Sequence, residues 1–230
     1  MQLTNKTGLV GNSSPVESSQ VGVHKRLHEV VERHRRHDYR RPIAPHTKAA
    51  FEVVADCISG DQRPLIFDSG CGTGESSETL ARANPDRRVV AIDRSEKRLA
   101  KAGCQDVMER DNLIMVRAEI QDFWRLAAFH EWRCCQHWLL YPNPWPKPRH
   151  LQRRWHAHPV FPALIALGGM LELRTNWAIY AEEFAASLEI YGLKPDLGRL
   201  EPAMPISNFE RKYNLSGHEL FRVRCMIGSS

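Results

Sequence analysis

The stretch Ile66–Ser76, I-F-D-S-G-C-G-T-G-E-S, constrains the fold more than any other part of this chain. An apolar run ends in an acid, three glycines alternate with other residues, and polar residues then open an amphipathic stretch. The apolar run reads as a buried strand of a parallel sheet, because such strands are covered on both faces and show no alternation. The glycines permit a tight turn and let a ligand approach backbone N–H groups at the start of the next helix.

The same order recurs along the chain. Apolar runs at 87–93, 113–119, 134–142, 168–176 and 218–227 read as further strands. Between them, 47–59, 73–85 and 177–192 carry apolar residues at helical spacing. Residues 95–110 read as one more helix, with Ser95 as its cap. The expected fold is α/β: a doubly wound, mostly parallel, seven-stranded sheet with helices on both faces, Rossmann-like in plan. A ligand of such a sheet lies beyond the carboxyl ends of the strands, where the strand order reverses. The polar residues that end the strands are therefore the candidate site.

Composition narrows the partners. The 230 residues are 42% hydrophobic, enough for a core, and carry a net charge of +5. The positive charge gathers at His24–Arg41 and again at Lys147–Arg154, which favours a polyanion. Within the first cluster, Leu27, Val30 and Val31 sit at helical spacing and suggest a short basic helix. Residues 1–22 are polar and read as a disordered tail. We therefore divide the chain into an N-terminal tail and arm, 1–41, and a domain, 42–230. The six cysteines form no C-x-x-C pair, so no metal site is expected. No apolar stretch approaches the roughly 20 residues of a membrane span, and the start lacks a signal-peptide centre, so the expected location is the cytoplasm.

At the cofactor end, Asp68 precedes Gly70, Gly72 and Gly74, and Asp93 ends the next strand. An acid there can accept both hydroxyls of a ribose, in NAD as in S-adenosylmethionine. The D-x-G-x-G-x-G spacing resembles the first motif of class I methyltransferases, whereas dinucleotide loops more often read G-x-G-x-x-G. Glu119, just past the third strand, would then lie near the adenine. It also reads as an ordinary carboxylate at a helix start.

At the substrate end, the strand Cys134–Tyr141 runs into P-N-P-W-P-K-P-R-H-L-Q-R-R, residues 142–154. Alternating prolines stiffen the backbone around Asn143, Trp145 and Lys147. Lys147, Arg149, Arg153 and Arg154 suit phosphates, and Trp145 or His150 can stack on a base. This segment resembles the P-D-P-W-x-K-x-R-H-x-K-R-R signature of bacterial tRNA (guanine-N7)-methyltransferases. R-T-N-W at 174–177 resembles that family's T-D segment, and S-N-F-E at 207–210 its T-x-F/Y-E motif. The resemblance runs from roughly Ile66 to Ile227.

It implies S-adenosylmethionine as cofactor and tRNA as partner, with methylation at N7 of guanine 46 in the variable loop. By motif, Asp68, Asp93 and Glu119, with the loop glycines Gly70, Gly72 and Gly74, would hold the cofactor, and Asn143 would stand at the methyl-transfer point, touching the cofactor's amino group or the base edge. Lys147, Asn176 and Ser207, Asn208, Phe209 and Glu210 would contact the nucleotide. Trp145, Arg149, His150, Arg153 and Arg154 are the remaining candidate RNA contacts. Glu210 would accept from guanine N1 and N2. Three positions depart from the pattern: Asn143 and Asn176 replace Asp, and Ser207 replaces Thr. Other readings stay open. Asn143-Pro144 before an aromatic resembles the N-P-P-Y motif of amino-group methyltransferases, the two Asn replacements suit a non-catalytic tRNA binder, and Asp93 with the glycine loop suits an NAD oxidoreductase.

Overall fold

The computed structural model describes residues 11–228. The first ten residues of the expected tail lie outside them. In chain order the elements are α1 (Leu27–Arg36), α2 (Pro45–Ile58), β1 (Leu65–Ser69), α3 (Glu75–Ala83), β2 (Arg88–Asp93) and α4 (Glu96–Leu99). Then come β3 (Val107–Arg110), β4 (Leu113–Arg117), α5 (Ile120–Phe129), β5 (Cys134–Leu140), α6 (Phe161–Leu167) and β6 (Gly169–Thr175). The chain ends with α7 (Ala178–Ile190), β7 (Asp196–Arg199), α8 (Asn208–Leu215) and β8 (Phe221–Ile227).

The strands form one sheet of eight, in the order β3-β4-β2-β1-β5-β6-β8-β7. β1, β2, β4, β5 and β6 run parallel. β3, β8 and β7 each join antiparallel to their neighbours. The order runs outward from β1 one way and from β5 the other, so the reversal falls between these two central strands. Residues along β1 and β2 alternate between two cores. Phe67, Val90 and Ile92 face α2, α5, α6 and α7, while Ile66, Val89 and Ala91 face α3 and α4. Burial on both faces explains why these strands read as unbroken apolar runs.

The sheet has one strand more than expected. Residues 95–110 do not form one helix: a last 3-10 turn ends at Ala102, Gly103 takes φ +80°, and Val107–Arg110 turn back as β3. Asp111 supplies the positive φ (+54°) that the hairpin to β4 requires, a conformation short polar side chains tolerate. Asn112 locks this turn by donating to the carbonyls of Ala81, Asn84 and Arg87 at 2.9–3.0 Å. The edge strand β7 is short and largely exposed, so it carries no apolar run.

Residues 11–41 are laid along the domain. Leu27, Val30 and Val31 are buried against Leu151 and Ala157, with Ile190 and Tyr191 of the α7 end beside them. Ahead of α1 the chain runs past Ser216, where the Ser13 N–H donates to its hydroxyl, and past Pro146, whose carbonyl accepts from Ser18. A charge on the buried face of α1 would break this seam without touching the sheet. Val31→Asp is expected to raise amide exchange in 27–36 at least ~10-fold while β1 and β2 exchange as in the unaltered protein, read by hydrogen-exchange mass spectrometry.

Candidate active site

Asp68 ends β1 beside the strand reversal. Its carboxylate is buried, and its Oδ2 accepts from the hydroxyls of Ser76 and Ser77, both at 2.6 Å. Burial pushes its pKa up, against the pull of those two hydroxyls, with nearby Asp93 adding to the rise. Among the described residues its Oδ1 is buried with no partner. Buried acceptors are rarely left unpaired, and an ammonium group is the donor that fits such a carboxylate.

The loop between Asp68 and α3 is bent by Gly70, Gly72 and Gly74, at φ +91°, +62° and +83°. At Gly74 a Cβ would also meet Met115 Cε at 2.6 Å. Asp93, buried at the end of β2, accepts from the N–H of Gly72 at 3.0 Å and of Ser95 at 2.7 Å. The Arg98 guanidinium lies 3.2 Å from its Oδ1, and of a carboxylate's roughly four acceptor sites one remains for a ribose hydroxyl. Glu119 precedes α5, half-buried, with Oε2 accepting from Gln121 at 3.1 Å and its N–H donating to Thr47. Asp68, Asp93 and Glu119 thus follow or end three adjacent strands at one edge of the sheet. The orphaned oxygen and the glycine turn fit S-adenosylmethionine, whose methionine end carries an ammonium.

β5 delivers the proline-rich loop to the same edge. Tyr141 and Trp145 take φ of +51° and +46°, which is strained for residues with a Cβ. Asn143 between them is exposed, and its Oδ1 accepts from the Trp145 N–H at 3.3 Å. Lys147, Arg149 and Arg153 are also exposed. The Arg153 guanidinium lies 4.8 Å over the Trp145 ring, and His150 meets that ring edge-on at 5.6 Å. His150 is held below its ordinary pKa by desolvation and by the surrounding arginines.

Arg154 does not belong to this exposed set. It is wholly buried and paired with Glu183 at 2.5 Å, so it leaves the candidate RNA contacts.

Glu210 is likewise not a guanine reader. It is wholly buried, and its oxygens accept from the Tyr141 hydroxyl (2.8 Å), from Arg174 (3.0 and 3.1 Å) and from the Ile206 N–H (2.9 Å). Those four contacts fill its acceptor capacity. Neither Arg211 nor Lys212 is its partner. Ser207 caps α8 by accepting from the Glu210 N–H at 3.2 Å, so S-N-F-E has the spacing of a capping box. Asn208 and Phe209 remain exposed, with Asn208 3.5 Å from Thr73 in the glycine loop. Phe209 stacks on Tyr213, and Tyr213 on His218. Asn176, half-buried at the end of β6, bonds His218 at 3.0 Å. Sequence reasoning missed Ser76, Ser77, Tyr141, Arg174 and His218. Only Tyr141, abutting the proline run, carried a local signal.

The comparisons agree with this geometry. A family model described as "Putative methyltransferase" matches residues 62–223. Among solved structures, an antibiotic-related methyltransferase superposes with TM-score 0.56 at 15% identity, covering 77% of this chain and 94% of that one. The 16S rRNA methyltransferase KamB gives 0.54 at 18% identity, covering 82% and 96%. The doubly wound sheet and the acid–glycine loop thus define a class I methyltransferase.

Among curated proteins, a tRNA (guanine-N(7)-)-methyltransferase of Alkalilimnicola ehrlichii is 31% identical over 183 residues, 72% of this chain and 73% of that protein. One of the same name from Mycobacterium tuberculosis is 30% identical over 174 residues, 69% of this chain and 64% of that protein. One from Mycolicibacterium paratuberculosis is 32% identical over 160 residues, 66% of this chain and 58% of that protein. The chain belongs to the tRNA (guanine-N7)-methyltransferase family.

Behind Asp68, Ser69 accepts from Trp124 at 2.9 Å and bonds the buried His137 at 3.0 Å. Burial lowers the His137 pKa to about 3. The unfolded chain therefore takes up a proton near pH 6.5 that the folded chain refuses until about pH 3. Stability should fall across that window, by up to ~1.4 kcal/mol per pH unit, and stay level above it. Half-buried His158, lowered to about 4 by desolvation, acts with the same sign. In urea titrations from pH 7 to 4, His137→Leu should flatten the dependence by about one proton.

Proposed function

We propose that this chain transfers the methyl group of S-adenosylmethionine to N7 of guanine 46 in the tRNA variable loop. One observation carries the reading: the Asp68 carboxylate with its unpartnered buried Oδ1 on β1, and the strained P-N-P-W-P loop that follows β5, stand on the two adjacent strands that flank the strand reversal. The names of the curated relatives support the same substrate. Residues 42–230 then form the methyltransferase domain and 1–41 its N-terminal arm, of which 11–41 are laid along it. We assign the cytoplasm as its location; among the described residues no helix is long and apolar enough to cross a membrane.

S-adenosylmethionine supplies an electrophilic methyl group on a sulfonium. Asp68 accepts from its ammonium, Asp93 from its ribose, and Glu119 from the adenosine end. Guanine N7 offers a lone pair and no proton, so the site needs no general base to start the reaction. The protein's task is alignment, which by itself can supply a large part of the rate. Asn143, exposed at the loop tip, positions the base edge with the amide donors its bond to Trp145 leaves free. Phe209, exposed and backed by Tyr213, offers a face on which a base can stack. Lys147, Arg149 and Arg153 contact phosphates. Asn176 is carried by His218 toward the same mouth.

The direct test incubates the protein with S-adenosylmethionine and unmodified tRNA and identifies methylated nucleosides by mass spectrometry. The expected product is N7-methylguanosine. A methylated exocyclic amine would instead assign the amino-group chemistry, and no product despite cofactor binding would make the chain a binder.

Two variants follow. Asp68→Asn should weaken S-adenosylmethionine binding ~10- to 100-fold in calorimetry, the worth of a hydrogen bond to a charged group. Asn143→Asp keeps the oxygen that accepts from the Trp145 N–H but loses the amide donors, and should retain N7 methylation with kcat lowered by no more than ~10-fold, because no proton transfer starts the step. Asn143→Ala, which loses the positioning amide, should lower kcat ~100-fold.

A further inference from the structure

The loop that presents Asn143 cannot hold itself. Pro142, Pro144, Pro146 and Pro148 have no N–H to donate, so the backbone between them has few internal ties. Two of its residues nonetheless stand at positive φ. Something outside the loop keeps them there.

We propose that Arg154 is the positioning residue of the active-site loop, acting on Asn143 through Trp145. Its wholly buried guanidinium donates to the Trp145 carbonyl from Nε at 3.3 Å and from Nη2 at 3.1 Å. Its Nη1 is anchored on Glu183 at 2.5 Å, and its cation lies 4.9 Å over the Trp177 ring. On the other side of the same residue, the Trp145 N–H donates to Asn143 Oδ1 at 3.3 Å. Trp145 is thereby gripped at both ends, at its carbonyl by Arg154 and at its N–H by Asn143. A shift of the carbonyl would carry the Asn143 side chain with it. The path from Glu183 to Arg154 to Trp145 to Asn143 is continuous.

The N-terminal arm completes the cage. Gln20 donates to Glu183 Oε1 at 2.5 Å and accepts from Arg154 Nη2 at 3.0 Å, and the His24 N–H also reaches Glu183 Oε1 at 2.9 Å. Ser18 donates to the Pro146 carbonyl at 2.6 Å, the next one along the loop. His156 bonds Glu183 Oε2 at 3.0 Å. Burial works to raise the Glu183 carboxyl, but His156 and Arg154 hold it down at about 2, so it stays ionised as the anchor. The planar fork of Arg154 holds Glu183, Gln20 and the Trp145 carbonyl with donors fixed in one plane; an ammonium has three donors but not that fixed spread. This inference rests on the reading that Asn143 stands at the methyl-transfer point.

The test uses the full chain. Arg154→Met alone strands a buried carboxylate and can unfold the protein, so it is paired with Glu183→Gln. Arg154→Lys is the second variant, which keeps the charge but not the fork. In both, folded by circular dichroism, kcat for tRNA methylation should fall ~100-fold, the effect of a loop displaced by about 1 Å. The KM for S-adenosylmethionine should stay within about twofold, because the loop is not its holder. Amide exchange at Asn143, Trp145 and Lys147 should quicken at least ~10-fold. A kcat within about twofold of the unaltered enzyme in either folded variant would overturn the proposal, as would kcat and cofactor affinity falling in parallel. An unaltered protein that makes no N7-methylguanosine would instead remove the proposed activity. The exchange at those three positions would then decide the positioning role by itself, with unchanged rates overturning it.

Discussion

Asp68 keeps a carboxylate out of water at the end of the central strand, and two hydroxyls in the first turn of α3 are what hold it. For Ser76 and Ser77 to reach back to position 68, the chain must reverse within the five residues between β1 and α3. Glycines at positive φ make that reversal possible. Asp93 then closes the loop from the side by accepting from the Gly72 N–H. Binding site and turn are one object. A Cβ at Gly74 would meet the tip of the Met115 side chain of β4, which would have to shift, at a position whose φ of +83° already disfavours any side chain.

What could be read in the sequence was local. The buried strands announced themselves as apolar runs because both faces are covered, and the glycine loop as an acid followed by alternate glycines. The edges of the sheet were harder. β3 is half-exposed and follows a helical run, so its few residues read as a continuation of that run, although Gly103 ends the helix before them. The larger misses were long-range. Arg154 meets a glutamate 29 residues on, and Glu210 a tyrosine 69 residues back. No local pattern tells a basic residue in a solvated run from one that turns inward. Arg153 and Arg154 are neighbours of identical type, yet one lies exposed over an indole and the other is sealed against a carboxylate. A 3-10 segment ending at Arg153 rotates them onto opposite sides.

The same distinction recasts the S-N-F-E segment. Its first residue caps α8, and its last ties α8 to β6 through Arg174 and to the end of β5 through Tyr141. Arg174 is shared with Glu172, which also receives Arg224 of β8, so a ladder of alternating charge crosses the sheet beneath α8. That ladder is buried enough for one missing partner to leave a charge stranded. The exposed middle residues, Asn208 and Phe209, are what the strut presents. The contact of Asn208 with Thr73 and the ion pair of Arg211 with Glu75 lay the start of α8 across the glycine loop.

Asn at 143 is intelligible in this setting. An aspartate there would place a charge beside a basic mouth and accept from the Trp145 N–H as the amide oxygen does now. What it would not supply is a donor. The loop is gripped from behind by Arg154 and at its tip by the Asn143 oxygen, which leaves the amide donors of Asn143 free to face a base. A reaction that asks only for a lone pair in line with a methyl group depends on where that tip points more than on its charge. The stiffness of the proline run, the buried guanidinium behind it and the absence of any required proton transfer all place the burden on geometry. That is the one property an Asp-to-Asn exchange, equal in shape, leaves intact.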